Sequence, residues 1–329
     1  MKIAITYNLR HFSINSLKTN DSQAEFDSPQ TIEALCETIE ALGYQAIPLE
    51  ANDRLAHELI KRRIDLVFNI AEGQGNNNRE AQVPALLDLM GICYTGSDSR
   101  ALTISLDKVL AKKLVTDAGI PTPQYYLFNN LEQSPPKNLH YPLIVKPVSE
   151  GTSKGIIAGS VVHNTQNLYR MLKQNIQRYR QPALVEHFVG GREFTVAVLE
   201  DKELEVLPPM EIIFLNQDWP VYSYSSKLEW QNSIRYETKP SLTKALSTKI
   251  SNYAAKAFKA LGCRDVARID FRMGQRGRLY FLECNALPGL SPTGSDLCVI
   301  SRAAGISYEE LIKKILSPAL KRFEQKKNL

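Results

Sequence analysis

Residues Arg268 to Gly289 read R-I-D-F-R-M-G-Q-R-G-R-L-Y-F-L-E-C-N-A-L-P-G. Two apolar runs, Val266 to Phe271 and Leu279 to Leu282, flank the turn-forming residues Gly274 to Gly277, which is the pattern of a β-hairpin. Asp270 on one strand and Glu283 and Asn285 leaving the other are expected to converge across the ladder. Two carboxylates and an amide oxygen, with no His or Cys, form the hard oxygen set that Mg²⁺ prefers when phosphate oxygens complete the octahedron, and Mn²⁺ suits the same donors. Either acid alone reads as an ordinary strand-end residue. The three together, followed by the Pro288-Gly289 turn, read as a nucleotide-metal site. Cys284 lies between two of these donors, so alternation turns it to the opposite face, where it packs.

At 329 residues, 43% hydrophobic and 23% charged, the chain suits two or three ordinary globular domains rather than one core. Its start, M-K-I-A-I-T-Y, reads as a first strand and not as a signal peptide. No apolar run reaches the length of a membrane span. The five cysteines form no C-x-x-C pair, so neither a disulfide framework nor a zinc site is expected. The expectation is a cytoplasmic protein. The net charge of +5 owes much to the terminal K-R-F-E-Q-K-K, and without a sustained basic and aromatic stripe, nucleic acid is not an expected partner.

From the amino terminus, Ile3 to Tyr7 (strand), Thr31 to Leu42 (helix), Gln45 to Leu49 (strand), Leu55 to Arg62 (helix) and Leu66 to Ile70 (strand) give a β-α-β-α-β rhythm. That rhythm predicts a parallel sheet with helices on both faces, whose ligands bind beyond the carboxyl ends of the strands. The loops after Tyr7 and Ile70 are therefore of interest, the second being A-E-G-Q-G-N-N-N-R-E-A-Q ahead of a helix from Val83 to Met90. Asp107-Lys108 opens a further helix that Gly119 ends. Leu143 to Pro147 is an apolar strand with Lys146 at its end, and it runs into V-S-E-G-T-S-K-G. The backbone N–H groups of that glycine-rich loop suit phosphate oxygens. Helices are expected from Leu242 to Leu261 and from Tyr308 to Phe323.

R-I-D-F followed by L-E-C-N-A-L-P-G resembles the C-terminal signature of ATP-grasp ligases, and the D-alanine:D-alanine ligase group most closely. The order Y-T-G-S, D-K, G-I-P-T-P extends the resemblance over nearly the whole chain after Ile64. It implies an α/β ATP-grasp protein of three domains, 1–101, 102–185 and 186–329, with ATP between the last two. It also implies phosphorylation of a carboxylate by ATP, followed by attack of an amine on the acyl phosphate. By the resemblance, Lys108 and Lys146 hold phosphates, Glu186, Val189 and Glu193 hold the adenosine, and Asp270, Glu283 and Asn285 hold Mg²⁺. Arg268 faces the oxyanion, Thr152 and Ser153 supply hydroxyls from the phosphate-covering loop, and Lys227 belongs to a loop that closes over the site. For Glu193 the plainer reading is a strand-entry acid paired with Arg192. Small-molecule carboxylate and amine substrates, amino acids first among them, are the implied partners, and a homodimer is compatible.

The departures from the family pattern all lie on the substrate side. The glycine-rich S-x-E-R loop after the first strand is missing, with Glu25 as a loose replacement for its acid. Arg79 stands where the family has an acid, and Leu228 follows the closing-loop lysine in place of tyrosine. Gly294 stands where a serine holds the acceptor carboxylate, with Ser295 as a neighbouring substitute. These departures suggest an altered substrate, with an extra substrate carboxylate as a partner for Arg79. Two other readings remain open here: a ligase whose acceptor is not an amino acid, and a nucleotide-binding protein of the same fold without catalysis.

Overall fold

The computed structural model describes residues 1–10, 23–75, 77–136, 139–157, 159–215 and 234–328, so Lys227 and Leu228 lie outside the described residues. The first sheet is parallel in the order β2-β1-β3-β4, built from β1 (Lys2–Tyr7), β2 (Gln45–Glu50), β3 (Leu66–Asn69) and β4 (Cys93–Tyr94). The helices α1 (Pro29–Ala41), α2 (Leu55–Arg62) and α3 (Gln82–Met90) connect these strands. Alternation along the strands decides which helix covers which face. Ile3, Ile5 and Phe68 pack with Leu35 and Ile39 of α1, whereas Ala4 and Val67 pack with Leu59 and Leu87 of α2 and α3.

The sheet reverses direction at β1, with β2 on one side and β3 on the other. Loops leaving two such strands diverge and open a crevice between them. Asn8, just past β1, bridges it: its side-chain amide donates to the Ala51 carbonyl (3.1 Å) and its oxygen accepts from Gly73 N–H (2.8 Å). Thus the two loops singled out by the β-α-β rhythm are joined at their roots.

After α4 (Ser99–Leu106) and α5 (Lys108–Asp117), the chain forms a second, antiparallel sheet in the order β5-β8-β6-β7. Its strands are β5 (Tyr125–Phe128), β6 (Leu143–Pro147), β7 (Val161–Val162) and β8 (Ala183–His187), and α6 (Thr165–Tyr179) buries Leu168, Met171 and Leu172 against it. The third sheet is antiparallel in the order β12-β11-β9-β13-β14, with β10 beside β9. It contains β9 (Glu193–Glu200), β10 (Leu204–Val206), β11 (Met210–Phe214), β12 (Ile234–Glu237), β13 (Val266–Met273) and β14 (Leu279–Asn285). Helix α7 (Lys244–Ala260), capped by the Thr243 side chain, packs Ile250, Ala254 and Phe258 on its inner face. Then follow α8 (Asp296–Ala303) and α9 (Tyr308–Lys327), and α9 returns Leu311, Ile312 and Ile315 to the core of the first sheet.

One buried carboxylate ties this return. Asp265 is fully buried at φ +65°, accepts from Gly96 N–H at 2.8 Å, and pairs with both terminal nitrogens of Arg322 at 2.7 and 2.6 Å. Arg322 also donates to the Tyr94 carbonyl at 2.8 Å, and Arg264 to that of Gly96 at 2.9 Å. The Y-T-G-S stretch is therefore a clamp between sheets. Asp265→Ala strands a guanidinium and a backbone N–H, and is expected to cost about 3–5 kcal/mol. Urea unfolding checks this; a loss below about 1 kcal/mol, the size of a surface pair, would show that the clamp bears little of the fold.

Candidate active site

The hairpin forms as its sequence implies. Its strands β13 and β14 pair antiparallel, Arg268 opposite Asn285 and Asp270 opposite Glu283. The register then slips, so that Phe271 pairs with Phe281 and Leu282 is the extra residue. Without that bulge the apolar Leu282 would stand opposite Asp270, and a one-residue shift moves every side chain to the other face. Cys284 faces away, buried with Cys263 3.7 Å from its sulfur.

On the site face, Arg268 donates to both Asp270 oxygens (3.2 and 3.0 Å) and to Asp296 Oδ2 (3.0 Å). The Asn285 amide donates to Asp270 Oδ2 at 3.2 Å, and Lys108 Nζ lies 3.6 Å from Glu283. The carboxylates around Arg268, Asp270 foremost, outweigh the cost of burial and raise its pKa further, so it is a permanent cation. Two acids and an amide oxygen gathered on one strand pair, with a lysine beside them, fit a nucleotide-bound Mg²⁺. Among the described residues no three His, Cys, Asp or Glu side chains form a metal cluster on their own.

Arg268 and Glu283 line two neighbouring cavities. The first also takes in Lys146, Ser153, Glu186, Val189, Glu193 and Asp270; the second takes in Lys108, Thr152 and Asn285. Thr152 and Ser153, adjacent in sequence, thus serve different cavities. Their left-handed backbone (φ +48° and +58°) separates the two side chains, a strain of the kind that functional loops hold.

Glu186 on β8 is matched by two lysines, Lys146 at 2.5 Å and Lys112 at 3.0 Å. Their charges overcome the opposing effect of burial and bring Glu186 down to about 2. Burial, with the Lys146 charge, pulls Lys112 down to about 8 against Glu186, while Lys146 rises because Glu186 and Glu283 outweigh its burial. Lys112 was not among the expected site residues. It lies one turn after Lys108 on the same face of α5, and that i, i+4 spacing was its signal. It also donates to the Leu282 carbonyl at 3.0 Å, holding the bulge.

Glu193 pairs with Arg272 at 3.1 Å and not with Arg192, which holds Glu211 at 2.7 and 2.6 Å. Burial, reinforced by Asp270 and Glu283, pushes Glu193 up to about 7 despite Arg272. Arg272 shares a strand face with Arg268 and Asp270, two residues apart along β13, although the sequence reading gave it no role. The linking segment passes close to the hairpin because Gly191 has no side chain. A Cβ there would stand 1.8 Å from the Met273 carbonyl oxygen.

On the substrate side the structure departs from expectation. Arg79 is buried and already matched: it donates to Glu25 Oε1 (2.6 Å) and to the Ser149 carbonyl (2.8 Å), with Glu150 3.4 Å away. Lys154 completes a ring with Glu150 (2.5 Å) and Glu25 (3.3 Å). Glu25, the loose candidate, therefore sits at the centre, and it also accepts from Gly151 N–H at 2.7 Å. Arg79 is thus not an open receptor for a substrate carboxylate, because protein acids surround it. Gly294 is exposed, and Ser295 accepts from Ser291 N–H at 2.8 Å ahead of α8; neither lines the two cavities. Asp296, absent from the sequence reading, orients Arg268 and accepts from the Tyr236 hydroxyl at 2.8 Å.

An antiparallel sheet carrying acids and a fixed arginine, facing a lysine-ended strand and a glycine-rich loop, defines the ATP-grasp ligase class. Residues 114–317 match the family model described as D-ala D-ala ligase C-terminus. The chain is 34% identical to the uncharacterized protein y4sG of Sinorhizobium fredii over 80% of this chain and 77% of that one. It is 33% identical to a D-alanine–D-alanine ligase of Carboxydothermus hydrogenoformans over 88% of this chain and 92% of the relative. The crystal structure of the Bacillus anthracis D-alanine–D-alanine ligase complexed with ATP superposes with a TM-score of 0.75 at 24% identity, covering 99% of both chains. The chain belongs to the D-alanine–D-alanine ligase family, ATP-dependent ligases of the ATP-grasp fold. No helix among the described residues is long and apolar enough to cross a membrane.

Glu186→Gln leaves two buried lysines with no shared counter-charge, so a loss of about 3–5 kcal/mol is expected together with weaker nucleotide binding. Because the folded pKa is depressed, the stability from Glu186 is complete above its usual 4.5 and is lost as pH falls from there through about 2. Urea unfolding between pH 7 and 2 should show that loss in the parent chain and a flatter profile in the variant. Parallel profiles would contradict the pairing.

Proposed function

We propose that this chain is a working ligase that joins a carboxylate to an amine at the expense of ATP. The observation that carries the reading is the shared wall of Arg268 and Glu283 between two cavities, one suited to a nucleotide and the other to a polar substrate. In this reading a carboxylate oxygen attacks the γ-phosphorus, and the bond to ADP breaks. The amine nitrogen then attacks the acyl carbon, loses its proton, and phosphate leaves with the C–O bonding pair. The products are an amide, ADP and phosphate.

Asp270, Glu283 and Asn285 would hold Mg²⁺, which when bound draws negative charge from the phosphates. Lys108 and Lys146 hold phosphate oxygens. Arg268, fixed by Asp270 and Asp296, stabilises the oxyanion formed on amine attack; loss of one such donor typically lowers the rate about 10²–10³-fold. Glu186, Val189 and Glu193 bound the adenosine end, and Thr152 and Ser153 cover the phosphates. The nucleotide lies between the parts 102–185 and 186–329, with 1–101 contributing the substrate side.

The test is ADP and phosphate release with ATP and Mg²⁺ over a panel of D- and L-amino acids, singly and in pairs, with the product identified by mass. Glu283→Gln is expected to keep ATP binding and to lower turnover by at least about 10²-fold, since the lost charge matters most as negative charge develops. Near-parent rates would remove Glu283 from the metal set. The loop from Glu150 to Gly155 is expected to become protease-resistant when ATP and Mg²⁺ bind, as a closing cover should; equal cleavage with and without them would oppose that role.

A further inference from the structure

The second cavity is lined by Arg268, Glu283 and Asn285 of β13 and β14 and by Glu72 and Glu80, from the segment that follows β3 at the sheet's switch point. Two of its other carboxylates are already balanced. Glu25 and Glu150 share Arg79 and Lys154, and Lys108 turns toward Glu283 and donates to the Glu150 carbonyl.

Glu80 is different. It is nine-tenths buried, it lines the cavity, and among the described residues it has neither a hydrogen bond nor an ion pair. Glu72, which is only partly buried, lines the same cavity and likewise has no hydrogen bond or ion pair among the described residues. A buried carboxylate without a partner is costly, and a protein keeps one where a ligand supplies the missing charge. The protonation equilibria agree: burial, with the charges of Glu25 and Glu150, pushes Glu80 up to about 8 even though Arg79 and Lys108 oppose it. Burial and the charges of Glu80 and Glu25 raise Glu72 well above the usual carboxylate range.

We propose that Glu72 and Glu80 receive the two amine cations of a diamino acid, whose carboxylate reaches Arg268 in the same cavity. The inference deepens the ligase reading and rests on it. A neutral amino acid brings one ammonium to two unpartnered carboxylates, whereas ornithine, lysine or a shorter diamino acid brings two. It also reverses the charge suggested by Arg79 alone: the ring around Arg79 is internally neutral, so the charge left over on this side is negative.

The experiment measures ATP-dependent phosphate release with D- and L-forms of diaminopropionate, ornithine and lysine, against alanine and norleucine as neutral counterparts. Both the parent chain and the Glu80→Gln and Glu72→Gln variants are used. The parent is expected to favour a diamino acid in kcat/KM by about 10–100-fold, the weight of one charge-assisted contact. Each variant should lose that preference through KM, while calorimetric ATP binding reports that the variant is folded. Equal use of neutral and diamino acids, or a preference that survives Glu80→Gln, overturns the proposal and leaves the ligase reading intact. If no panel member supports turnover, the ligase reading fails in that form, and calorimetry with a non-hydrolysable ATP analogue decides the inference separately. Binding of a diamino acid that Glu80→Gln abolishes upholds it, and absence of such binding overturns it.

Discussion

A single bulge in the β13–β14 ladder decides which side chain faces Asp270. Antiparallel pairing allows each site-facing residue only one partner, and one residue of slip would bring Leu282 opposite Asp270 in place of Glu283. The extra residue is held from behind by Lys112, whose ammonium meets the Leu282 carbonyl. That same ammonium pairs with Glu186, which in turn pairs with Lys146 at the end of β6. The register of the hairpin and the position of Lys146 are thus linked through one buried carboxylate. Neither can shift without leaving a charge uncompensated in the interior.

This explains why so many ionised groups are tolerated inside. Burying a charge costs several kcal/mol, which only close pairing recovers. Arg268 has Asp270 and Asp296, Arg272 has Glu193, and Arg322 has Asp265. Each pair joins segments distant in sequence or fixes a rotamer at the site, so the charges act as position markers where apolar packing alone would permit sliding. Arg268 shows the consequence. A guanidinium pinned by two carboxylates is preorganised, which is the condition under which an oxyanion donor is most effective.

Much of this was legible in the sequence because it is local. The strands and helices of the first sheet follow from apolar periodicity and lie within a few residues of expectation, and the hairpin follows from two apolar runs around glycines. What escaped is set by register and by contacts across the chain. Glu193 faces Arg272 because β9 and β13 pair those residues, whereas adjacency in sequence favours Arg192, the residue beside Glu193. Asp296 is an ordinary helix residue until folding brings it to Arg268, and the i, i+4 spacing of Lys112 from Lys108 does not name Glu186 as its partner. Arg79 is the clearest case. An arginine in a loop otherwise rich in asparagine reads as an open cation, and only the approach of Glu25 and Glu150 shows it to be matched.

That reversal bears on how the substrate side of this fold changes. An acid-to-arginine exchange in isolation would turn a site toward anions. Here Arg79 recruits Glu25 from the loop after β1 and Glu150 from the glycine-rich loop, and Lys154 closes the ring. The ring joins the N-terminal loops directly to the loop expected to cover the phosphates, as Glu25 accepts from Gly151 N–H. The charge at Arg79 is therefore used for cohesion between segments, and the acids that the ring leaves unmatched, Glu72 and Glu80, lie at the switch point of the sheet, where the geometry of a parallel sheet directs a ligand.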